Sequence, residues 1–229
     1  MFVVSLFGTE ELDSKGCDMS LFCERRKRQL ELLKNENARR LSMCAEMAFM
    51  EALKKAWTAG MLPEGPPVFP AETQEDEKGK PYFAAPGQYT GLFFNISHTE
   101  GMAAAAVADQ PVGIDIEYLK RRSVSHAERI LSADEAEVYK QLEDPASKNR
   151  FFLESWVRKE SYLKRLGIGL EVFPRELEIK DGYVKMSKNA SAYTESSGPA
   201  GAEPFNAGCA LKTEIIQTGY EDYIVSVCV

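Results

Sequence analysis

Two short segments constrain this chain more than any others. Residues 113–117 read Gly-Ile-Asp-Ile-Glu, and residues 156–164 read Trp-Val-Arg-Lys-Glu-Ser-Tyr-Leu-Lys. In the first, apolar and acidic side chains alternate with the period of a β-strand. Asp115 and Glu117 therefore share one face, and Ile114 and Ile116 point the other way into apolar packing. In the second, Trp156, Glu160 and Lys164 recur at i, i+4 and i+8, one face of a helix. A tryptophan ring buries most of its area, so that face is not wholly exposed. Any fold of this chain must bury the isoleucine side of the strand and the tryptophan of the helix.

The pattern around these segments predicts helices followed by strands, twice. Residues 2–7 suit a first strand, 19–34 a helix and 36–58 a longer helix. In the long helix Leu41, Cys44, Ala45, Ala48, Phe49, Ala52 and Leu53 form one apolar stripe. Gly60 stops it, and Pro63, Pro66, Pro67 and Pro70 follow. Residues 71–80 read as an exposed acidic loop. Strands follow at 92–97, 102–108 and 112–116, and the turn Asp109-Gln110-Pro111 predicts that the last two form a hairpin. Helices at 125–142 and 147–166 precede strands near 176–186, 206–213 and 222–229. The polar stretch 187–204 reads as a mobile loop. No sequence repeat is visible. The recurring order nevertheless predicts an α+β fold of two similarly built halves, residues 1–109 and 110–229.

With 229 residues, 44% of them hydrophobic, the chain can bury a core without staples. Its five cysteines are odd in number and include no CxxC pair, which suits neither a zinc site nor a disulfide framework. They read as reduced thiols of a cytoplasmic protein. The apolar start, residues 1–8, is too short for a signal peptide and lacks a basic n-region. A net charge of -7 argues against bulk nucleic-acid binding. The charge is uneven: Arg25, Arg26, Lys27, Arg28, Lys34, Arg39 and Arg40 crowd one stretch, and Lys120, Arg121 and Arg122 another. Such clusters are either solvated helix faces or contacts for a phosphorylated ligand or an acidic partner.

The residues that can carry chemistry each have two readings. Asp115 and Glu117 are either two solvated acids at a strand end or paired oxygen ligands for a magnesium ion, which takes few protein carboxylates and leaves room for water and phosphate. Glu160 is either the partner of Lys164 in a surface pair worth about 0.3–0.5 kcal/mol, or a ligand or base beside a buried ring. The segment Asn95 to Thr99 ends a strand, where Ser97 and His98 either grip a phosphate or are ordinary structural or surface residues; adjacent strand residues face opposite ways, which disfavours a Ser97–His98 nucleophilic pair. With two histidines in the chain, a His-based zinc site is poorly supported. Gly79, flanked by Lys78 and Lys80, is either an exposed turn or a phosphate loop without P-loop spacing. Three carboxylates with lysines nearby point to a metal-held phosphate and to phosphoryl transfer.

Taken in order, Arg40, Gly79-Lys80-Pro81, Phe94-Asn95-Ile96-Ser97-His98, Gly113-Ile114-Asp115-Ile116-Glu117 and Trp156-x-x-Lys159-Glu160-x-x-x-Lys164 resemble the 4'-phosphopantetheinyl transferases, in particular the long, two-halved Sfp type. The last two motifs are specific; the earlier ones add weight by their order. The resemblance implies a pseudo-twofold pair of α+β halves with the active site in the cleft between them, acting as a monomer. It implies that the phosphopantetheine arm of coenzyme A is moved to a serine of an apo acyl or peptidyl carrier protein. It implies Asp115, Glu117 and Glu160 as ligands of magnesium, or of manganese in its place. Arg40, Lys80, Ser97 and His98 become contacts to the phosphates of coenzyme A, with Lys159 and Lys164 as further phosphate or leaving-group contacts. Arg25 and Lys27 become contacts to the terminal nucleotide phosphate. Glu160 and Lys164 are then the catalytic pair, and neither nucleic acid nor membrane is a partner. Val157 departs from the family, where a small hydroxyl residue is frequent; little effect is expected. Two other readings use the same residues: a magnesium-dependent hydrolase of pyrophosphate-containing nucleotides, and a carrier-binding relative without turnover.

Overall fold

The computed structural model describes residues 1–84, 87–120, 127–187 and 209–229. Arg121, Arg122, His126 and the stretch 188–204 of the loop expected at 187–204 lie outside these residues. The fold is mixed α/β, and the chain forms two compact units, Met1–Val112 and Gly113–Val229.

The first unit is built on β1 (Phe2–Gly8), α1 (Thr9–Lys15), α2 (Glu24–Leu32), α3 (Glu36–Thr58), the short pair β2 (Thr73–Glu75) and β3 (Pro81–Phe83), then β4 (Phe93–Thr99) and β5 (Met102–Ala108). Its main sheet has the antiparallel order β1-β5-β4. Asn35 caps α3 by accepting from the Ala38 N–H at 2.9 Å. The apolar stripe of α3, from Cys44 through Leu53, packs on Phe7, Phe94, Ala103, Ala105 and Val107. Full burial of a side chain such as Leu53 contributes about 1.5–3 kcal/mol. The alanines of β5 have weak strand propensity, but all seven residues of this central strand are buried, and packing overrides preference.

Here the predicted hairpin of 102–108 with 112–116 fails. Both edges of β5 are already paired, with β1 and with β4, so none remains for the strand at 113. The tight connection is instead Glu100-Gly101 between β4 and β5, where Gly101 takes φ +75°, a conformation that glycine adopts without strain. The helix expected over 19–34 is also interrupted. Asp18 accepts from the Ser20 N–H and closes a 3-10 turn at Met19–Leu21, and α2 starts only at Glu24.

The second unit runs β6 (Gly113–Tyr118), α4 (Ala127–Ile130), α5 (Ala133–Gln141), α6 (Pro145–Leu166), β7 (Leu177–Lys180), β8 (Tyr183–Met186), β9 (Leu211–Ile216) and β10 (Tyr223–Cys228). The sheet order is β6-β10-β9-β8-β7, antiparallel throughout. One predicted helix, 125–142, is two. Ser132 accepts from the Glu135 N–H while the Glu135 carboxylate accepts from the Ser132 N–H at 2.9 Å, a capping box that starts a new helix. The predicted strand at 206–213 lies at 211–216. On one side of α6 Tyr162, Leu163 and Leu166 meet Leu177, Val184, Met186 and Cys228; further along, Phe152, Leu153 and Val157 meet Ile130, Leu131 and Ile224.

Each unit thus pairs its first strand with its last and lays a long helix across those two, α3 on β1 and β5, α6 on β6 and β10. All five cysteines are free thiols, with Cys23, Cys44 and Cys228 buried. Among the described residues no helix is long and apolar enough to cross a membrane.

Candidate active site

The acidic strand and the tryptophan helix of the sequence are β6 and α6, and they pack against each other. Two residues along a strand advance about 6.6 Å and eight along a helix about 12 Å, so the long side chains of Lys164 and Trp156, two turns apart on α6, converge on the neighbouring acids of β6. Asp115 meets Lys164, and Glu117 meets Trp156. The close approach depends on small residues. A Cβ on Gly113 would stand 2.0 Å from the Ser161 carbonyl oxygen and 2.4 Å from the Arg165 nitrogen, both backbone atoms that cannot yield. Beside it, the Ser161 hydroxyl and the Ser226 hydroxyl of β10 are 3.0 Å apart, and Ser226 is the cross-strand neighbour of Asp115.

Lys164 Nζ donates to Asp115 Oδ1 at 2.6 Å, and the Trp156 indole N–H donates to Glu117 Oε1 at 3.0 Å. Glu160 shares its helix face with both donors. Its Oε1 is buried with no hydrogen-bond partner. Burial, and then the Asp115 carboxylate, push the Glu160 carboxyl up; Lys164 pulls it down, and Glu117 pushes it up again, to about 7. Acidic side chains have been crowded here at a cost in stability, which is the usual mark of a functional site.

Asp115 is tied to Lys164 and Glu117 to Trp156, and among the described residues no group of three His, Cys, Asp or Glu stands ready to hold a metal ion. The donor set nevertheless fits one. Three carboxylates suit a hard cation such as magnesium, and the partnerless buried Oε1 of Glu160 is an oxygen that such a cation would satisfy.

The remaining sequence candidates are placed as follows. Lys159 is wholly buried and turned to another side of α6: its ammonium donates to the Ile130 carbonyl at 2.8 Å and to Glu135 at 2.5 Å. Neighbouring helix residues are about 100° apart, so Lys159 does not join Glu160 and Lys164. Arg40, Lys80, Ser97 and His98 belong to the first unit. Arg40 donates to the Thr9 carbonyl and pairs with Asp13. Lys80 sits in a turn where Asp76 Oδ1 accepts from the N–H groups of Lys78 and Lys80. On β4 Ser97 is buried and His98 exposed, on opposite faces. Arg25 holds Thr73 and Glu75, and Lys27 pairs with Glu24 along its own helix.

Sequence reasoning missed two participants in the site and one ion pair outside it. From the sequence Trp156 reads as a buried ring, with nothing to single out its N–H. Gly113 carried no signal beyond preceding the acids. The Lys159–Glu135 pair was foreshadowed only by the capping-box spacing of Ser132 and Glu135.

The family model of the 4'-phosphopantetheinyl transferase superfamily matches residues 111–228, just over half the chain. A 4'-phosphopantetheinyl transferase of Bacillus subtilis is 29% identical over 90% of this chain and 80% of its own length. The 4'-phosphopantetheinyl transferase HetI of Nostoc sp. is 36% identical over 45% of this chain and 44% of its own. The 4'-phosphopantetheinyl transferase Sfp of Bacillus subtilis strain 168 is 32% identical over 56% of this chain and 52% of its own.

Proposed function

Because the chain belongs to the 4'-phosphopantetheinyl transferase superfamily, we propose that it transfers the 4'-phosphopantetheine arm of coenzyme A to a serine of an apo acyl or peptidyl carrier protein. The observation that carries this reading furthest is the convergence of Asp115, Glu117 and Glu160 beside Lys164, with the Glu160 carboxyl held near 7.

The serine oxygen forms a bond to the phosphorus that bears the pantetheine, and the bond from that phosphorus to the bridging oxygen of the pyrophosphate breaks. The nucleotide leaves as the 3',5'-bisphosphate, and the serine proton goes to a base. Asp115, Glu117 and Glu160 are the residues that would hold magnesium, which when bound supplies neutralisation of charge on the pyrophosphate oxygens. Glu160 is the proposed base for the carrier serine proton. Lys164 is the proposed cation for the departing phosphate, exchanging Asp115 for it. Arg40, Lys80, Ser97 and His98 are proposed to bind the phosphates of coenzyme A, and Arg40 must then give up Asp13. Lys159 enters as an internal strut, since its ammonium is already engaged.

On this reading the two units are two copies of one plan. The protein acts as a monomer in the cytoplasm, and neither nucleic acid nor membrane is a partner. The test is mass spectrometry of a panel of apo carrier proteins incubated with coenzyme A and magnesium. A gain of one phosphopantetheine on the carrier serine is expected. It should vanish for Asp115→Ala, with thermal unfolding near that of the unaltered protein. Turnover by Asp115→Ala close to normal would remove the metal assignment, and hydrolysis of coenzyme A without any carrier modification would remove the transfer itself.

A further inference from the structure

We propose that Trp156 is a positioning residue, whose indole N–H fixes the Glu117 carboxyl group in the orientation required to hold the metal; the inference rests on the metal reading given above. Trp156 lies one helical turn before Glu160, and its ring packs partly buried on the cluster that contains Ile130, Leu131 and Phe152. That apolar contact needs only a ring. The Nε1–H is a different matter, because an indole can donate and never accept, so it can serve only an acceptor. It is aimed at Glu117 Oε1, 3.0 Å away across the strand–helix contact.

Glu117 has more freedom to lose to such a bond than Asp115. It is less buried than Asp115, nearer the end of β6, and its side chain has one more rotatable bond. Asp115 is set by its short side chain and by Lys164. The bond from Trp156 fixes Glu117 by an uncharged donor, which adds no positive charge to compete with a cation. Outer partners of this kind typically govern metal affinity by about 10- to 100-fold when they are removed.

The test uses the full chain and has readouts besides turnover. Trp156→Phe keeps a ring in the apolar cluster and deletes the donor. Calorimetry with magnesium alone should show binding about 10- to 100-fold weaker than in the unaltered protein. At saturating magnesium the transfer rate should return close to normal, since the substitution touches no reacting atom. The chain has two tryptophans, Trp57 and Trp156, so Trp57→Phe, in the other unit, leaves Trp156 as sole reporter. Its emission should change saturably as magnesium is added, with the calorimetric midpoint, because the oxygen it donates to has become a metal ligand. Unchanged magnesium affinity in Trp156→Phe overturns the proposal. Should that variant not fold, a flat emission titration of Trp57→Phe, under conditions where calorimetry registers binding, overturns it equally. Asp115→Ala separates the two levels. If it abolishes magnesium binding while Trp156→Phe leaves it intact, only the role of Trp156 falls. If it too binds magnesium normally, the metal reading has failed and this inference falls with it.

Discussion

Glu160 shows what a site of this kind costs. Its carboxyl is raised from an ordinary 4.5 to about 7, first by burial and then by the neighbouring Asp115 carboxylate. The sign of the consequence follows from proton counting. Between about pH 4.5 and pH 7 the folded protein holds a proton on Glu160 that the unfolded chain has released, so stability in the absence of metal falls as pH rises through that window. The loss attributable to this one group is at most about 3.4 kcal/mol. Glu160→Gln cannot titrate. In chelator, denaturant unfolding should therefore find it equal to the unaltered protein near pH 5 and more stable at pH 8. A difference that does not change with pH would show that Glu160 is not perturbed. The same variant divides its two proposed roles. If Glu160 is chiefly the base, binding of magnesium and coenzyme A should survive while turnover falls by roughly 10²- to 10⁴-fold. If it is chiefly a metal ligand, affinity for both should fall together, and added metal should partly restore the rate. Unchanged rate and affinity would remove Glu160 from both roles; the surface pair with Lys164 is not its alternative, because Lys164 donates to Asp115.

At the scale of elements, α6 does two jobs on two of its sides. One side presents Trp156, Glu160 and Lys164 to β6; another uses Lys159 to hold the α4–α5 corner through the Ile130 carbonyl and Glu135. Lysine at full burial is disfavoured, and burial indeed pulls the Lys159 ammonium below its usual range despite its partner. Removing one member strands the other. Lys159→Met should destabilise by about 3–5 kcal/mol in denaturant unfolding, because the Glu135 charge is left buried. Adding Glu135→Leu should recover most of that, though not the part owed to the lost cap on Ser132, worth about 1 kcal/mol. A double variant that loses the sum of what Lys159→Met and Glu135→Leu lose singly would mean the pair is not coupled. This arrangement also marks where the sequence stopped being readable. The long helices, with their apolar stripes, and the shared face of Asp115 and Glu117 are local patterns, and α3 and β6 fall where periodicity put them. Strand partners are not local. The Pro111 turn pointed to a hairpin, but β5 takes β1, some hundred residues away in register (Phe2 with Ala108), and only the whole sheet decides that. In the same way Glu160 and Lys164 could be assigned to one helix face from their spacing, whereas the engagement of Lys159 with Glu135 and of Trp156 with Glu117 depends on which element packs on which side.

On the scale of the molecule, an acidic chain of net charge -7 is proposed to take a highly anionic substrate. Long-range attraction cannot supply that binding, so it must come from cations placed one by one. Several are already held by internal acids, Arg40 by Asp13 and Lys164 by Asp115. Each must trade a carboxylate for a phosphate, which tempers affinity and sharpens the dependence on the right ligand. The proposed contacts are also divided by unit: Arg40, Lys80, Ser97 and His98 precede the boundary at Val112, and the carboxylates with Lys164 follow it. The two sets should therefore fail differently. Arg40→Ala and Lys80→Ala should weaken coenzyme A while leaving calorimetric magnesium binding, measured without substrate, as it was. Asp115→Ala should lose both. If Arg40 or Lys80 serves the 3'-phosphate, its loss should weaken coenzyme A by roughly 10- to 100-fold, a charge-assisted contact of about 1.5–3 kcal/mol, and leave dephospho-coenzyme A nearly unaffected. Equal losses for the two ligands would move that residue to the pyrophosphate. No loss for either would return Arg40 to its bond with Asp13, and Lys80 to the turn that Asp76 organises.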